Sequence, residues 1–322
     1  MQELDFIEII KNSLDDSTFI GDDCAYLKEF DMFITQDTLV EGVHFLKSTT
    51  TPYLLGRKAV SVNLSDLAAA LATPLYISVS LSLPVLIKES FVSEFYRGIN
   101  DVCQEYGVKV TGGDLTGGDK IIVSICALGK RNSRFFSSRK NAKKGDIIVV
   151  TGEFGSSGAA LDAFSSYLYC GETLKQKHLN PTPRIKEAET IAKAIDCDIS
   201  GTDCSDGLVA ALYNIATASK RSVKIDYEKI PVNPALIEYC EINSLTPDDF
   251  VKYGGEDYEL LMCIPESVYK KLDHGVFKEI GRVMNKDTVP SVIIRKNSEE
   301  EILTKAEIEA KLFDHFEKNS LD

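Results

Sequence analysis

Apolar and polar residues alternate in some stretches of this chain and recur at helical spacing in others. In residues 76–83, isoleucine, valine and leucine alternate with serine, which predicts a half-buried strand. Residues 52–71 keep apolar residues at helical spacing, with Thr51 as a cap and Pro52 in the first turn, which predicts a helix. Comparable patterns predict further strands at 32–36, 108–111, 120–128, 146–150, 222–226 and 258–264, and further helices at 88–106, from about 157, at 183–195 and at 207–219.

The order of these elements suggests two halves. Between residues 130 and 145 arginine, lysine, serine and asparagine dominate, and the pattern starts afresh with a strand at Asp146. Because strands and helices alternate irregularly, we expect an α+β fold with two α/β domains rather than a doubly wound parallel sheet. We place the boundary between residues 1–138 and 139–322.

Composition limits the possible partners. The 322 residues carry a formal net charge of -13, and they contain no lysine and arginine stripe, which argues against a nucleic-acid or anionic membrane surface. An acidic protein can bind a polyanion when metal cations lie between its carboxylates and the ligand. The acidic N-terminus and the lack of a long apolar run predict a cytoplasmic location without a membrane span. Eight cysteines without a CxxC pair predict reduced thiols, and four histidines without HExxH argue against zinc.

Seven aspartates stand beside glycine, serine or threonine, near predicted strand ends and loops. Any one of them could simply form a turn or cap a helix. Together they favour a Mg²⁺ site, because this cation prefers oxygen ligands from short, rigidly placed carboxylates. Asn63 shares a helix face with one of them, Asp66. The seven are Asp22, Asp23, Asp37, Asp66, Asp114, Asp203 and Asp206.

Two glycine-rich segments are weaker candidates for phosphate binding. Glycine pairs at 112–113 and 117–118 flank Asp114 and would let backbone N–H groups approach a phosphate, although a hairpin loop explains them equally well. The segment GEFGSSG at 152–158 follows a strand and opens a helix, but no lysine follows it. The chain contains no GxxxxGK[ST], HRD or DFG motif, so the common nucleotide-binding architectures are excluded.

Six ordered blocks resemble the thiamine-monophosphate kinase family, within the superfamily that includes aminoimidazole ribonucleotide synthetase. The blocks are GDDCA (21–25), DTLVEGVHF (37–45), VNLSDLAA (62–69), TGGDLTGG (111–118), TDCSDGL (202–208) and GGEDYELL (254–261). The resemblance implies an N-terminal α/β domain that binds ATP and metal, a C-terminal α/β domain, and a homodimer in which the N-terminal sheets pair. It also implies ATP-dependent phosphorylation of thiamine monophosphate to thiamine diphosphate.

The resemblance assigns roles to individual residues. It places magnesium ligands at Asp23, Thr35, Asp37, Asp66, Asp114, Asp203 and Asp206. It places ATP contacts at Tyr96, Gly113, Asp114, Arg139 and Ser205, and contacts to thiamine monophosphate at His44, Glu256 and Phe313. Two positions depart from the family: Gln36 stands where threonine or serine is common, and Phe313 lies where many relatives have tryptophan.

The implied chemistry requires no catalytic side chain as a base. The acceptor is a phosphate monoester whose second pKa is near 6, so its oxygen is largely ionised at neutral pH. Several Mg²⁺ ions would offset the repulsion between donor and acceptor and allow direct in-line transfer. Two rival hypotheses are a sister ATP-dependent cyclase or ligase, and a noncatalytic magnesium-dependent nucleotide sensor. The blocks around His44 and Glu256 favour the kinase.

Overall fold

The structure is a computed structural model that describes residues 3–313. The helices are α1 Glu3–Ser13, α2 Pro52–Ala69, α3 Glu89–Tyr106, α4 Ser156–Ser165, α5 Glu172–Leu179, α6 Ile185–Ala194, α7 Leu208–Ser219, α8 Pro234–Ile242, α9 Pro247–Tyr253, α10 Glu266–Tyr269 and α11 Lys305–Glu309. The strands are β1 Ala25–Leu27, β2 Met32–Val40, β3 Ala72–Leu83, β4 Lys109–Gly117, β5 Ile122–Arg131, β6 Ile147–Val150, β7 Ser200–Asp203, β8 Arg221–Asp226, β9 Leu260–Ile264, β10 Lys278–Lys286, β11 Val292–Lys296 and β12 Glu299–Leu303. Short 3-10 helices cover Arg139–Asn141 and Tyr227–Lys229.

The strands form two sheets. The first has the order β1-β2-β5-β3-β4 and the second the order β12-β11-β8-β10-β6-β9-β7. Neighbouring strands are antiparallel except for the pairs β3–β4 and β8–β11. This mixed layering confirms the predicted α+β class with two sheets. The exact domain boundary at 138/139 stays a prediction, since the first sheet ends at Arg131 and the second begins at Ile147.

Helix α2 lies in the core between the sheets and carries much of the candidate site. Its start follows the sequence, because Thr51 accepts a hydrogen bond from the Leu54 N–H and Pro52 occupies the first turn. Its leucines belong to one core cluster with residues of both sheets, such as Ile125 of β5 and Met262 of β9. A second core cluster packs α4 and α7 against the opposite face of the second sheet. The second sheet is therefore covered on both faces, which explains the uniformly buried strands β6 and β9.

Helices α2 and α3 cross with their backbones almost in contact. A Cβ atom at Gly56 would lie 2.0 Å from the Phe95 carbonyl oxygen, and one at Gly98 would lie 2.0 Å from the Tyr53 carbonyl oxygen. Only glycine leaves room for the backbone at both positions. The pair of helices thus forms a rigid layer on one face of the first sheet.

The structure differs from the sequence predictions at two places. Strand β2 continues past Asp37 to Val40, and the glycine-rich segment after Lys109 is strand β4 rather than a loop. Gly113 adopts φ 157 at a point where a Cβ atom would lie 1.7 Å from the Val79 carbonyl oxygen of β3. Glycine is needed there for close strand packing. Within the described residues, no helix has the length and apolar character that crossing a membrane requires.

Candidate active site

Three carboxylates from distant parts of the chain converge beside α2. Asp23 precedes β1, Asp66 lies on α2, and Asp203 is the last residue of β7. One oxygen from each lies within 4.8 Å of the others. Such a group of short, rigid oxygen donors fits a hard divalent cation.

Hydroxyl groups fix the orientation of each carboxylate. Thr35 of β2 donates to Asp66 at 2.5 Å, and Ser65 of α2 donates to Asp203 at 2.5 Å. The Thr202 hydroxyl likewise donates to Asp23 Oδ1 at 2.8 Å. Because each hydroxyl holds one carboxylate in place, the cluster is organised by the fold itself.

Arg139 is the cation in direct contact with Asp23. Its Nη2 lies 2.5 Å from Asp23 Oδ1, and its Nε donates to the Thr202 hydroxyl at 3.2 Å. The arginine backbone is fixed in turn, because its carbonyl oxygen accepts from the hydroxyls of Ser200 and Ser219. The predicted ATP contact therefore joins the predicted metal cluster.

Asp37 and Asp206 extend the negative charge of the cluster. Burial, followed by the charges of Asp206 and Asp23, raises the pKa of Asp37 to about 6. The Asp37 backbone N–H donates to the Asn63 side-chain oxygen at 3.0 Å, so α2 also positions this residue. The sequence prediction that Asn63 and Asp66 act from one helix face agrees with these contacts.

The carboxylates of the cluster are crowded together with too little positive charge beside them. Burial, followed by the charge of the neighbouring Asp23 carboxylate, raises the pKa of Asp203 to about 8. The pKa values of Asp23 and Asp66 are also raised, in both cases first by burial and then by nearby carboxylates. Arg139 alone does not balance these charges. The donor set and its charge thus fit Mg²⁺, and Thr35, Asp37 and Asp206 lie where they could help to hold it.

Asp114 and Gly113 lie away from this cluster in the same chain. Asp114 on β4 pairs with Ser80, which pairs with Ser124, which pairs with Thr38 on β2. Three strand spacings separate β4 from β2, or roughly 14 Å. Thr38 and Ser80 are exposed on the outer face of the sheet, whereas Asp37 belongs to the next row and the opposite face. The chain therefore does not bring Asp114 to its own cluster.

The second functional region centres on Glu256, in the loop between α9 and β9. Its Oε2 accepts from Lys58 Nζ at 2.9 Å and lies 3.2 Å from His178 Nδ1. The Glu256 backbone N–H donates to the Ser205 carbonyl oxygen at 2.6 Å. The loop that carries Ser205 and Asp206 is thereby joined to the loop that carries Glu256.

His44 lies near this region, in the turn after β2. Its Nδ1 accepts from the Val40 backbone N–H at 3.0 Å, so the neutral ring carries its proton on Nε2. A small cavity is lined by His44 and His178 together with apolar residues such as Phe164. Phe313, with 61% of its surface exposed, and Tyr96 on α3 are not among the residues that line it.

A larger cavity of about 390 Å³ opens on the other side of Asp23. Its walls include the aromatic rings of Tyr26 and Phe136 and the polar residues Ser138 and Lys140. The cavity adjoins the carboxylate cluster at Asp23 and leaves room for a ligand larger than a cation.

The segment 152–158 is not free to bind phosphate. The backbone N–H groups of Gly155 and Ser157, at the start of α4, donate to the Asp257 carboxylate at 2.7 and 3.2 Å. Asp257 is therefore the anion at this helix N-terminus, and burial raises its pKa to about 7. The weak phosphate-loop signal in the sequence is explained by this internal contact.

Sequence reasoning missed four residues of the two regions: Lys58, Ser65, His178 and Thr202. Lys58 offered a signal, because it is a charged residue within a predicted helix whose apolar residues keep helical spacing. The other three are ordinary polar residues whose partners lie far away in the sequence, and the pattern alone gives no sign of them.

The chain is similar in sequence and fold to several known proteins. Residues 21–130 match the family model described as AIR synthase related protein, N-terminal domain. The chain is 36% identical to thiamine-monophosphate kinase of Aquifex aeolicus over 288 residues, or 87% of this chain and 91% of that protein. It is 35% identical to thiamine-monophosphate kinase of Escherichia coli over 272 residues, or 81% of this chain and 80% of that protein. A solved structure described as AaThiL complexed with AMPPCP and TMP superposes with a TM-score of 0.85 at 33% identity, covering 98% of this chain and 97% of that one.

Proposed function

Because the chain belongs to the thiamine-monophosphate kinase family, we propose that it transfers the γ-phosphoryl group of ATP to thiamine monophosphate. The products are thiamine diphosphate and ADP. The observation that carries the proposal is the carboxylate cluster of Asp23, Asp66 and Asp203 with Arg139 beside it. The similar structure described with AMPPCP, an ATP analogue, and TMP supports the same pair of substrates.

The cluster would hold the cations that this reaction needs. Asp23, Asp66 and Asp203 would hold Mg²⁺ together with Thr35, Asp37 and Asp206, which lie around them. Bound Mg²⁺ would supply positive charge between the donor and acceptor phosphates. Arg139 would add a fixed positive charge on the nucleotide side, and the 390 Å³ cavity beside Asp23 would take part of the nucleotide. Ser205 would be a further ATP contact, as the family pattern implies.

The acceptor would bind between the cluster and the cavity beside His44. Glu256 offers a carboxylate to the positively charged organic part, while His44 offers its Nε2–H as a donor. The attacking phosphate oxygen is already ionised at neutral pH, so no side chain has to remove a proton from it. Phe313 would stack on a ring of the acceptor, as the family pattern implies.

We further propose that the enzyme is a homodimer built through the first sheet. All nine residues of edge strand β4 are exposed, and the outer face beside it carries small polar residues such as Ser80 and Thr38. An open edge of this length is a template for pairing with another strand. Since Asp114 lies roughly 14 Å from β2 of its own chain, pairing would let Gly113 and Asp114 serve the site of the partner subunit. The boundary at 138/139 and a cytoplasmic location are proposed with it.

Incubation of the purified protein with ATP, Mg²⁺ and thiamine monophosphate tests the proposed reaction. Formation of thiamine diphosphate with an equal amount of ADP is the expected result. Formation of ADP with free phosphate would instead indicate the cyclase or ligase chemistry. Nucleotide binding without turnover would indicate a sensor.

A further inference from the structure

Two buried polar side chains meet a half-buried carboxylate beside the cavity near His44. The three residues are Lys58 of α2, His178 of α5 and Glu256 of the loop before β9. Lys58 is 1% exposed and His178 is 5% exposed. A buried charge is tolerated only when a partner offsets the loss of hydration. The fold therefore pairs the buried Lys58 and His178 side chains with the Glu256 carboxylate.

Both partners hold the same oxygen of Glu256. Lys58 Nζ and His178 Nδ1 contact Oε2, at 2.9 and 3.2 Å. His178 Nδ1 also lies 3.0 Å from the Ser157 hydroxyl, and a proton on Nδ1 would face both this hydroxyl and the Glu256 carboxylate, which can only accept. The ring is neutral because burial, followed by the nearby Lys58 charge, lowers its pKa to about 4. Oε1 is the oxygen that neither Lys58 nor His178 holds.

The backbone at Glu256 is fixed as firmly as the side chain. Glu256 has φ 64, in the left-handed region that side-chain-bearing residues rarely adopt. Its N–H donates to the Ser205 carbonyl oxygen, and a Cβ atom at the preceding Gly255 would lie 2.9 Å from that same oxygen. The loop therefore presents Glu256 in one conformation.

Lys58 also sets the charge of Glu256. Burial by itself raises the pKa of this carboxyl, but the Lys58 charge brings it below its ordinary value. Without Lys58, burial would favour a protonated and neutral Glu256. A neutral carboxyl would attract an organic cation far more weakly.

We propose that Lys58 and His178 are positioning residues for the acceptor, a role that rests on the proposed function. Lys58 keeps Glu256 ionised, and both residues direct Oε1 toward the positively charged, amino-bearing rings of thiamine monophosphate. Glu256 is the group that would touch the acceptor, and both positioning residues act through it. They set the affinity for the acceptor, while ATP affinity and the phosphoryl-transfer step depend on the carboxylate cluster.

Lys58→Met tests the charge role, because methionine has a similar length and no charge. We expect the KM for thiamine monophosphate to rise at least about tenfold, with the KM for ATP changed less than about twofold. Glu256→Gln should give a similar rise. The double variant Lys58→Met with Glu256→Gln should be no worse than Glu256→Gln alone, because Lys58 acts through that carboxylate.

His178 is tested by two replacements. Asparagine can place an N–H donor where Nδ1 lies, whereas leucine cannot. His178→Asn should therefore keep a KM for thiamine monophosphate near that of the wild type, and His178→Leu should raise it. Lys177→Met is the matched control, since the adjacent Lys177 lies 3.9 Å from Glu259 and belongs to a different ion pair.

The outcomes separate this inference from the proposed function. A wild-type protein that makes no thiamine diphosphate refutes the function, and calorimetric titration with thiamine monophosphate then still measures the effect of Lys58→Met on binding. An active wild type whose Lys58→Met variant shows equal changes for both substrates, or no change, overturns the inference. If Lys58→Met does not fold, the KM of the double variant, which leaves no unpaired buried charge, is compared with the KM of Glu256→Gln. A higher KM in the double variant overturns the proposal.

Discussion

Replacing Asp203 with asparagine should stabilise the protein when divalent cations are removed. Two unit charges at 4.8 Å, the limit for the three clustered carboxylates, repel by roughly 3 to 4 kcal/mol at an effective dielectric constant of 20. Burial and these neighbours raise the pKa of Asp203 to about 8 from the ordinary 3.8. Asparagine keeps the shape and can still accept from Ser65, but carries no charge.

The size of the effect depends on pH. A carboxyl with a raised folded pKa keeps its proton between pH 4 and 8 while the unfolded chain loses it, so stability falls as pH rises through this window. At about 1.4 kcal/mol per pKa unit, the cost reaches roughly 5 kcal/mol at pH 8 and roughly 1 to 2 kcal/mol at pH 5. Allowing for imperfect fit of the amide, we expect Asp203→Asn to gain about 2 to 4 kcal/mol at pH 8.

Urea unfolding in EDTA, followed by circular dichroism, measures this gain at both pH values. Asp15→Asn is the control, because Asp15 is exposed just after α1 and lies outside the cluster. Added Mg²⁺ should stabilise the wild type and leave Asp203→Asn nearly unchanged, since only the intact cluster would bind it. A variant that is less stable than the wild type at pH 8 in EDTA, or a difference that does not shrink at pH 5, would refute the reasoning.

Three further predictions follow from the site. Heterodimers of Asp114→Asn with Asp203→Asn should recover about half the wild-type activity, because one of the two sites then has both carboxylates, whereas heterodimers of Asp66→Asn with Asp203→Asn should recover none. Calorimetry should count one nucleotide site in the first heterodimer. An inactive first heterodimer would show that Asp114 serves its own chain. His44→Gln should keep the rise of activity through the acceptor ionisation near pH 6, and its loss in this variant would assign that rise to a protein group. Phe313→Ala should raise the KM for thiamine monophosphate more than that for ATP, and equal changes would place Phe313 outside the acceptor site.

The sequence predicted those features that depend on local pattern. Helix α2 was predictable because Thr51, Pro52 and the apolar spacing all favour it, and Asp23, Asp66 and Asp203 stood out beside small residues. Strand β4 could not be predicted, because glycine is typical of loops and only the close contact with Val79 explains why glycine stands in this strand.

Long-range contacts account for the rest of the site. Lys58 and Glu256 are 198 residues apart in the chain, so no local pattern could pair them. The sequences of strands β10, β11 and β12 also show no strong alternation of apolar and polar residues, so they could not be predicted. Pairing with neighbouring strands of the second sheet stabilises them.

Helix α2 carries residues of both the Glu256 region and the carboxylate cluster. Lys58 and Asp66 lie on α2, which is buried between the sheets and packed backbone to backbone against α3. Eight residues of helix span about 12 Å, so under the proposed function α2 would fix the distance between the acceptor rings and the cations. A single inserted residue between them would move Asp66 by about 1.5 Å and turn it by roughly 100° around the helix axis. If the proposed roles hold, the loops of this protein can vary in length, whereas a change in the length of α2 between Lys58 and Asp66 would change which acceptor fits.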